Sequence, residues 1–296
     1  MSALLHPKTA AALAAVQSHA TGSVIFHGPR GLGKATAARE LAAALNCLDG
    51  KPGVCANCRQ LAAGNFPDFI WIDRGDKASL GIEQVRTLTA DLSLRPFAAG
   101  ASRVVVIDEA HLLTLEAQNA LLKLLEEPPP ATLIILIAEH PESLLVTVRS
   151  RCRAVQFVRP GVSAVAALLV KSYGVTGPAA AQLAAASAGA PGTAINLVSN
   201  PAEAEALLSL TADAQLQQGK PLFDRLLLAT RLAAAGADLE RFAEALHRRV
   251  IAALQTSQID PILATNWLDA LERFRLHLAA KVSPRVALER LMLELG

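Results

Sequence analysis

The sequence predicts an α/β protein built on a doubly wound parallel sheet, and three observations carry that prediction. Short apolar, β-branched runs alternate with Ala- and Leu-rich helical stretches, the order expected of βα units. A glycine-rich loop, Gly28-Pro29-Arg30-Gly31-Leu32-Gly33-Lys34, stands between the first such run and the helix after it. The run Val104–Ile107 ends on two carboxylates, Asp108 and Glu109, at the strand end where open α/β sheets bind ligands.

Met1–Ala20 predicts a helix starting near His6-Pro7-Lys8-Thr9 and broken by Thr21-Gly22. Strands are expected at about 23–26, 68–72, 103–107, 133–137 and 154–157. Each is short and apolar, as strands buried on both faces are. A helix is expected from Lys34 to about Leu45, and another from Leu80 to Leu94, before a loop marked by Pro96, Gly100 and Ser102. After Asp108-Glu109 a helix is expected on Leu112, Leu113, Ala117, Ala120, Leu121, Leu124 and Leu125, stopped by Pro128–Pro130. Three short helices are expected between Gly161 and Asn200, from Ser163, Ala179 and Pro191. Residues 201–296 predict helix throughout, including Leu207–Leu216, with Pro221, Gly236, Pro261 and Pro284 as punctuation.

Composition excludes several function classes. Apolar residues make up 52% of 296, enough for a large core. The net charge of only +2 offers no global basic field for nucleic acid. No run of about 18 uncharged apolar residues occurs, so no membrane span is expected. The first residues lack a signal-peptide layout, and a cytoplasmic location is expected. Cys47, Cys55 and Cys58 cluster in a polar insertion, with Cys152 apart; in a cytoplasmic chain that suggests a metal more than a disulfide.

The loop fits G-x-x-x-x-G-K in a strand–loop–helix context, which makes a phosphate-binding reading specific. Gly28, Gly31 and Gly33 let backbone N–H groups turn toward phosphate oxygens. The following helix N-terminus adds partial positive charge, and Lys34 reaches the outer phosphates. Ala35 stands where Ser or Thr would ligate Mg²⁺, and alanine has no hydroxyl. Three thiolates leave a tetrahedral zinc one protein ligand short. Asp49 or Asp68 could complete the set only if the fold brings it close, and a site that has lost its metal is an equal alternative.

From Arg103 to Cys152 the chain carries D-E-A-H-x-L-x-x-x-A-x-N-A-L-L-K-x-L-E-E-P-P, then Ser150-Arg151-Cys152. This stretch resembles the nucleotide-binding core of the AAA+ clamp-loader family. The resemblance implies a core over 1–160 with a Cys-containing insertion at about 47–58. It further implies a helical lid over 161–200 and a helical collar, which joins subunits, over 201–296. It implies that Asp108 would hold Mg²⁺ and Glu109 would polarise water in a working ATPase; the alternative is two acids at a helix N-terminus. It makes Arg151 an arginine finger acting on a neighbour's nucleotide, the alternative being a surface ion pair. The family's zinc module has four cysteines; Pro52 stands at the second.

Three stations depart from the ATPase pattern: Ala35, the strand end at Ala138 or Glu139, and Thr193 where an arginine would stand. Charge stabilisation is most of phosphoryl-transfer catalysis, so hydrolysis should be very slow or absent. The combination resembles the δ′ type within the family. It implies τ/γ-type ATPase subunits and a δ subunit as partners, with sliding clamp and primer–template DNA engaged through the complex. The rivals are an active τ/γ-type ATPase and a AAA+ module whose ATP is structural.

Overall fold

The computed structural model describes residues 6–50, 52–77, 79–93, 97, 102–202, 204–205, 208, 221–234, 239–255, 259–280 and 282–295. The expected helix over Leu207–Leu216 falls almost wholly outside them, as do Leu94, Pro96 and Gly100. The chain divides into two compact units, 1–165 with 190–193, and 166–189 with 194–296.

The first unit holds the sheet. Its strands are β1 (Gly22–His27), β2 (Phe69–Ile72), β3 (Arg103–Ile107), β4 (Thr132–Ala138) and β5 (Arg153–Gln156). They lie in the order β2-β3-β4-β1-β5, every neighbouring pair parallel. Parallel strands need crossovers, here supplied by helices on both faces. Alternation along the strands divides the core in two. Ile25, Val105, Ile107, Ile134 and Leu136 pack with Val85, Leu88 and Leu92 of α4 (Ile82–Ser93) and Leu121 and Leu125 of α5 (Leu115–Glu126). Val24, Phe26, Val104, Val106, Leu133 and Ile135 pack with Val16 of α1 (Pro7–His19) and Ala37, Ala38 and Leu41 of α2 (Lys34–Leu45). Each fully buried leucine of these layers contributes about 1.5–3 kcal/mol. α3 (Ala56–Ala62) lies in the Cys-containing insertion, and α6 (Val146–Arg149) precedes β5.

Two local features depart from expectation. The helix after Asp108-Glu109 does not start there: a 3₁₀ turn, Ala110–Leu112, intervenes. Leu113 then pairs with Leu80 in an isolated parallel bridge. α5 begins only where the Thr114 side chain accepts from the Ala117 N–H, because that hydroxyl satisfies an N–H that a helix start leaves orphaned. Asp108 and Glu109 therefore do not begin α5; Glu109 instead stands at the N-cap position of the 3₁₀ turn. Asp68, one of the two suggested fourth metal ligands, is buried beside Arg103, with Nε 3.6 Å from its Oδ1. It also accepts from the Phe97 N–H. A buried arginine needs a counter-charge, so that carboxylate belongs to the sheet edge and not to the thiols.

The two units share α7 (Val162–Tyr173) and α9 (Pro191–Ser199), whose residues divide between them; α8 (Gly177–Ala186) lies in the second. That unit also contains α10 (Leu222–Ala234), α11 (Leu239–Gln255), α12 (Pro261–Ala279) and α13 (Pro284–Glu294). Phe242, Leu246, Trp267, Leu271, Phe274, Leu288 and Met292 fill the bundle they form. Asp260 caps α12 by accepting from the N–H groups of Ile262 and Leu263. Among the described residues no helix is long and apolar enough to cross a membrane.

Candidate nucleotide site and its surroundings

The parallel order places the C-terminal ends of β1, β4 and β3 side by side. β1 leads through His27 into the glycine loop, and Gly33 precedes α2 with φ +81°. Gly28 (φ +135°) donates to Ala138 O at 3.3 Å. A Cβ there would come 2.5 Å from Phe157 O, so only glycine passes between the ends of β4 and β5. Gly31 (φ +72°) lies against the start of α9: its carbonyl accepts from Gly192 N at 2.7 Å, and an added Cβ would meet Thr193 Oγ1. Thr193 therefore packs on the loop where the family's arginine would stand.

Lys34 is buried, 7% exposed. Its ammonium donates to the carbonyls of Gly28 and Pro29. Burial lowers its pKa, while the charges of Glu139 and Asp108 hold it up. Burial raises the Asp108 pKa and the neighbouring Glu109 charge adds to that, against the Glu109 N–H and the cations Lys34 and Arg39. That N–H donates to Asp108 Oδ1 at 2.9 Å. Glu109 itself is in the left-handed region, φ +48°, a cost of about 1–2 kcal/mol for a side-chain-bearing residue. This turn leads its carboxylate to two arginines: Arg74 Nε at 2.8 Å and Arg30 Nη2 at 3.6 Å.

Ala138 is the last residue of β4 and fully buried. Glu139 follows, and its Oε1 lies 2.9 Å from Arg30 Nε. Arg30, a loop residue, thus spans Glu139 and Glu109. Sequence reasoning singled out neither Arg30 nor Arg74. His111 stands next to this corner, its Nδ1 3.5 Å from the Glu139 N–H, with its pKa lowered by burial.

Arg151 lies apart from these groups, exposed at the end of α6. Its Nε and Nη2 are each 3.1 Å from Glu126 Oε2, and Nη1 donates to Thr147 O. Cys152 is half-buried and its thiol is pushed up to about 12 by burial.

The insertion brings Cys47, Cys55 and Cys58 together, their sulfurs all within 4.8 Å of one another. Cys55 caps α3, its sulfur accepting from the Cys58 N–H. That bond, with a second from the Leu48 backbone, brings the Cys55 pKa down to about 7. Cys58 is shifted up: a hydrogen bond from Gly53 opposes the shift, but burial and the two neighbouring thiols outweigh it. Three sulfurs at this spacing suit a thiophilic ion bound at about 2.3 Å per ligand. Neither Asp49 nor Asp68 joins them among the described groups.

The residues fit a nucleotide's phosphates better than they fit its magnesium. The loop carries glycines at φ +135°, +72° and +81° and the lysine of a phosphate loop, whereas Ala35 offers Mg²⁺ no side-chain oxygen.

Comparison with known proteins places the chain in a family. The model of the family described as DNA polymerase III, delta subunit, matches residues 8–160. The chain is 42% identical over 132 residues to DNA polymerase III subunit tau of Escherichia coli strain K12, 43% of this chain and 20% of that protein. It is 35% identical over 180 residues to DNA polymerase III subunit delta′ of Pseudomonas aeruginosa strain PAO1, 58% of this chain and 54% of that protein. It therefore spans about half the length of the delta′ relative and a fifth of the tau relative. A DNA polymerase III gamma subunit-related protein of Thermotoga maritima MSB8 shares the fold, with a TM-score of 0.51, 17% identity, and 96% and 98% of the two chains covered. With a family match over more than half its length and relatives that agree, the chain belongs to the bacterial DNA polymerase III clamp-loader family of AAA+ proteins.

Proposed function

We propose that this chain serves as a δ′-type clamp-loader subunit: it holds nucleotide without turning it over and donates Arg151 to an adjoining ATPase subunit. The observation that carries this is the arginine of the loop itself, Arg30, laid across Glu109 and Glu139. The carboxylate that would polarise water is committed to Arg30 and Arg74. The strand-end position that should offer the γ-phosphate a neutral polar group carries a second carboxylate. Ala35 and Thr193 remove a magnesium ligand and a cation. Each loss subtracts charge stabilisation, which supplies most of the catalysis of phosphoryl transfer.

In this proposal Gly28, Gly31, Gly33 and Lys34 cradle the phosphates, with Asp108 and Glu109 as remnants of the catalytic pair. Bound nucleotide supplies negative charge that ties the loop to α2. Arg151 keeps its fork of donors outside this site. Its pair with Glu126 is solvent-exposed and contributes at most about 1 kcal/mol, so a phosphate presented by a neighbour can replace it. Residues 161–200 act as lid and 201–296 as collar, joining τ/γ-type ATPase subunits and a δ subunit. Clamp and primer–template DNA are engaged by the assembly. Cys47, Cys55 and Cys58 hold zinc, with the fourth position filled from outside the trio.

A τ/γ-type motor would share the core, as the identity to tau shows, but it requires the hydroxyl that Ala35 lacks. The test is phosphate release by the purified chain together with its co-elution with τ/γ and δ subunits. The proposal expects assembly and no release above background. Turnover by the chain alone at about 1 s⁻¹ or faster would overturn it.

A further inference from the structure

The corner beyond β3 and β4 gathers three carboxylates, Glu109 paired with Arg74 and Arg30, and Asp108 and Glu139, whose charges act on Lys34. Glu139 is the strongest charge sustaining the Lys34 ammonium, ahead of Asp108. Arg30 Nε holds Glu139 at 2.9 Å, and its Nη2 reaches Glu109 at 3.6 Å. The loop's second cation is thus committed to carboxylates. Lys34 meanwhile donates to the loop carbonyls of Gly28 and Pro29, contacts it must exchange for any phosphate.

A diphosphate asks for the loop N–H groups, the N-terminus of α2 and Lys34. A third phosphate adds negative charge beyond Lys34, toward the strand ends where these carboxylates stand. In other phosphate-loop proteins Mg²⁺ bridges the outer two phosphates and offsets such repulsion; the missing hydroxyl at Ala35 weakens that option here. Like charges a few Å apart at a partly buried site cost enough to decide between ligands.

We propose that this loop selects a nucleoside diphosphate over the triphosphate, with Glu139, held in place by Arg30, as the specificity-determining residue. The proposal rests on the nucleotide-holding reading above and adds which nucleotide is held. It makes the subunit's occupancy insensitive to the hydrolysis cycle of its neighbours.

Calorimetric titration of the full chain with ADP and with ATP, each with Mg²⁺ and with EDTA, tests it. ADP should bind about tenfold tighter than ATP or better, and chelating Mg²⁺ should change ADP binding by less than about twofold. Glu139→Gln, which keeps the shape and removes the charge, should bring the two affinities within about threefold. Glu139→Thr, with its melting curve recorded, repeats the test if the amide variant folds poorly. Equal or tighter ATP binding by the wild type overturns the selectivity and leaves nucleotide holding intact, as does an unchanged ratio in both variants. No heat with either nucleotide overturns the selectivity and the nucleotide-holding reading together, while the role of Arg151 is judged separately in the assembled complex.

Discussion

Gly28→Ala tests how closely the phosphate loop is pressed between two strand ends. Gly28 has φ +135°, a region that costs a side-chain-bearing residue about 1–3 kcal/mol. A Cβ there would lie 2.5 Å from Phe157 O. That carbonyl cannot retreat freely, because Phe157 N donates to His27 O at 2.8 Å. Forcing the overlap costs about 1–3 kcal/mol more. Gly22→Ala is the matched control: φ is +103° and nothing lies within 4 Å of an added Cβ. It carries the backbone strain alone. The two variants should differ by about 2 kcal/mol, a melting difference of about 4–8 °C for a unit of this size. Trp71 lies in the first unit and Trp267 in the second, so fluorescence in a Trp267→Phe background reports the first unit. Equal destabilisation by the two variants would refute the close approach, and with it the geometry assigned to the loop.

Other expectations follow from particular groups. Leu121→Ala, in the layer between α5 and the sheet and fully buried, should cost about 2–5 kcal/mol by denaturant unfolding; less than 1 would mean the layer is loosely filled. Ala35→Ser should leave phosphate release at background, since Glu139 and Thr193 remain; recovered turnover would reduce the defect to one hydroxyl. Glu294 is held below the usual carboxylate range by its hydrogen bond from Arg273, with Arg290 adding to it. A depressed folded pKa stabilises above the unfolded value and is lost as pH falls through the folded one. The unfolding midpoint of the helical bundle of the second unit should therefore drop on acidification below about 4.3, and Glu294→Gln should flatten that drop. Protein prepared with zinc should carry one ion per chain by metal analysis and lose it on Cys58→Ser; retention by the variant would contradict the thiol site.

Much of the sheet was legible because its central strands β1, β3 and β4 are buried on both faces and so read as apolar runs. The expected 103–107 and 133–137 became Arg103–Ile107 and Thr132–Ala138. The glycine loop was legible for the same kind of reason, since its special φ values leave glycine as the residue of choice. What escaped was set by distance along the chain. Arg30, Arg74, Glu109 and Glu139 meet only because the order β2-β3-β4-β1 sets the C-terminal ends of those four strands in one row, and no local pattern announces such a pairing. The helix expected immediately after Glu109 was delayed because the Leu80 bridge and the Thr114 cap compete with apolar periodicity. Asp68 reads as a spare ligand in sequence, yet the buried guanidinium of Arg103 claims it. Glu126 was not singled out either, though it sits 25 residues from the arginine it pairs with.

The most direct measurement of the central claim is DNA-stimulated ATPase of the reconstituted clamp loader carrying Arg151→Ala, alongside Glu126→Gln. The account predicts that both complexes assemble and that the Arg151 variant lowers partner turnover by about 10³-fold or more. The Glu126 variant, which only releases the guanidinium, should preserve turnover. Partner turnover unchanged by Arg151→Ala in an intact complex would contradict the account.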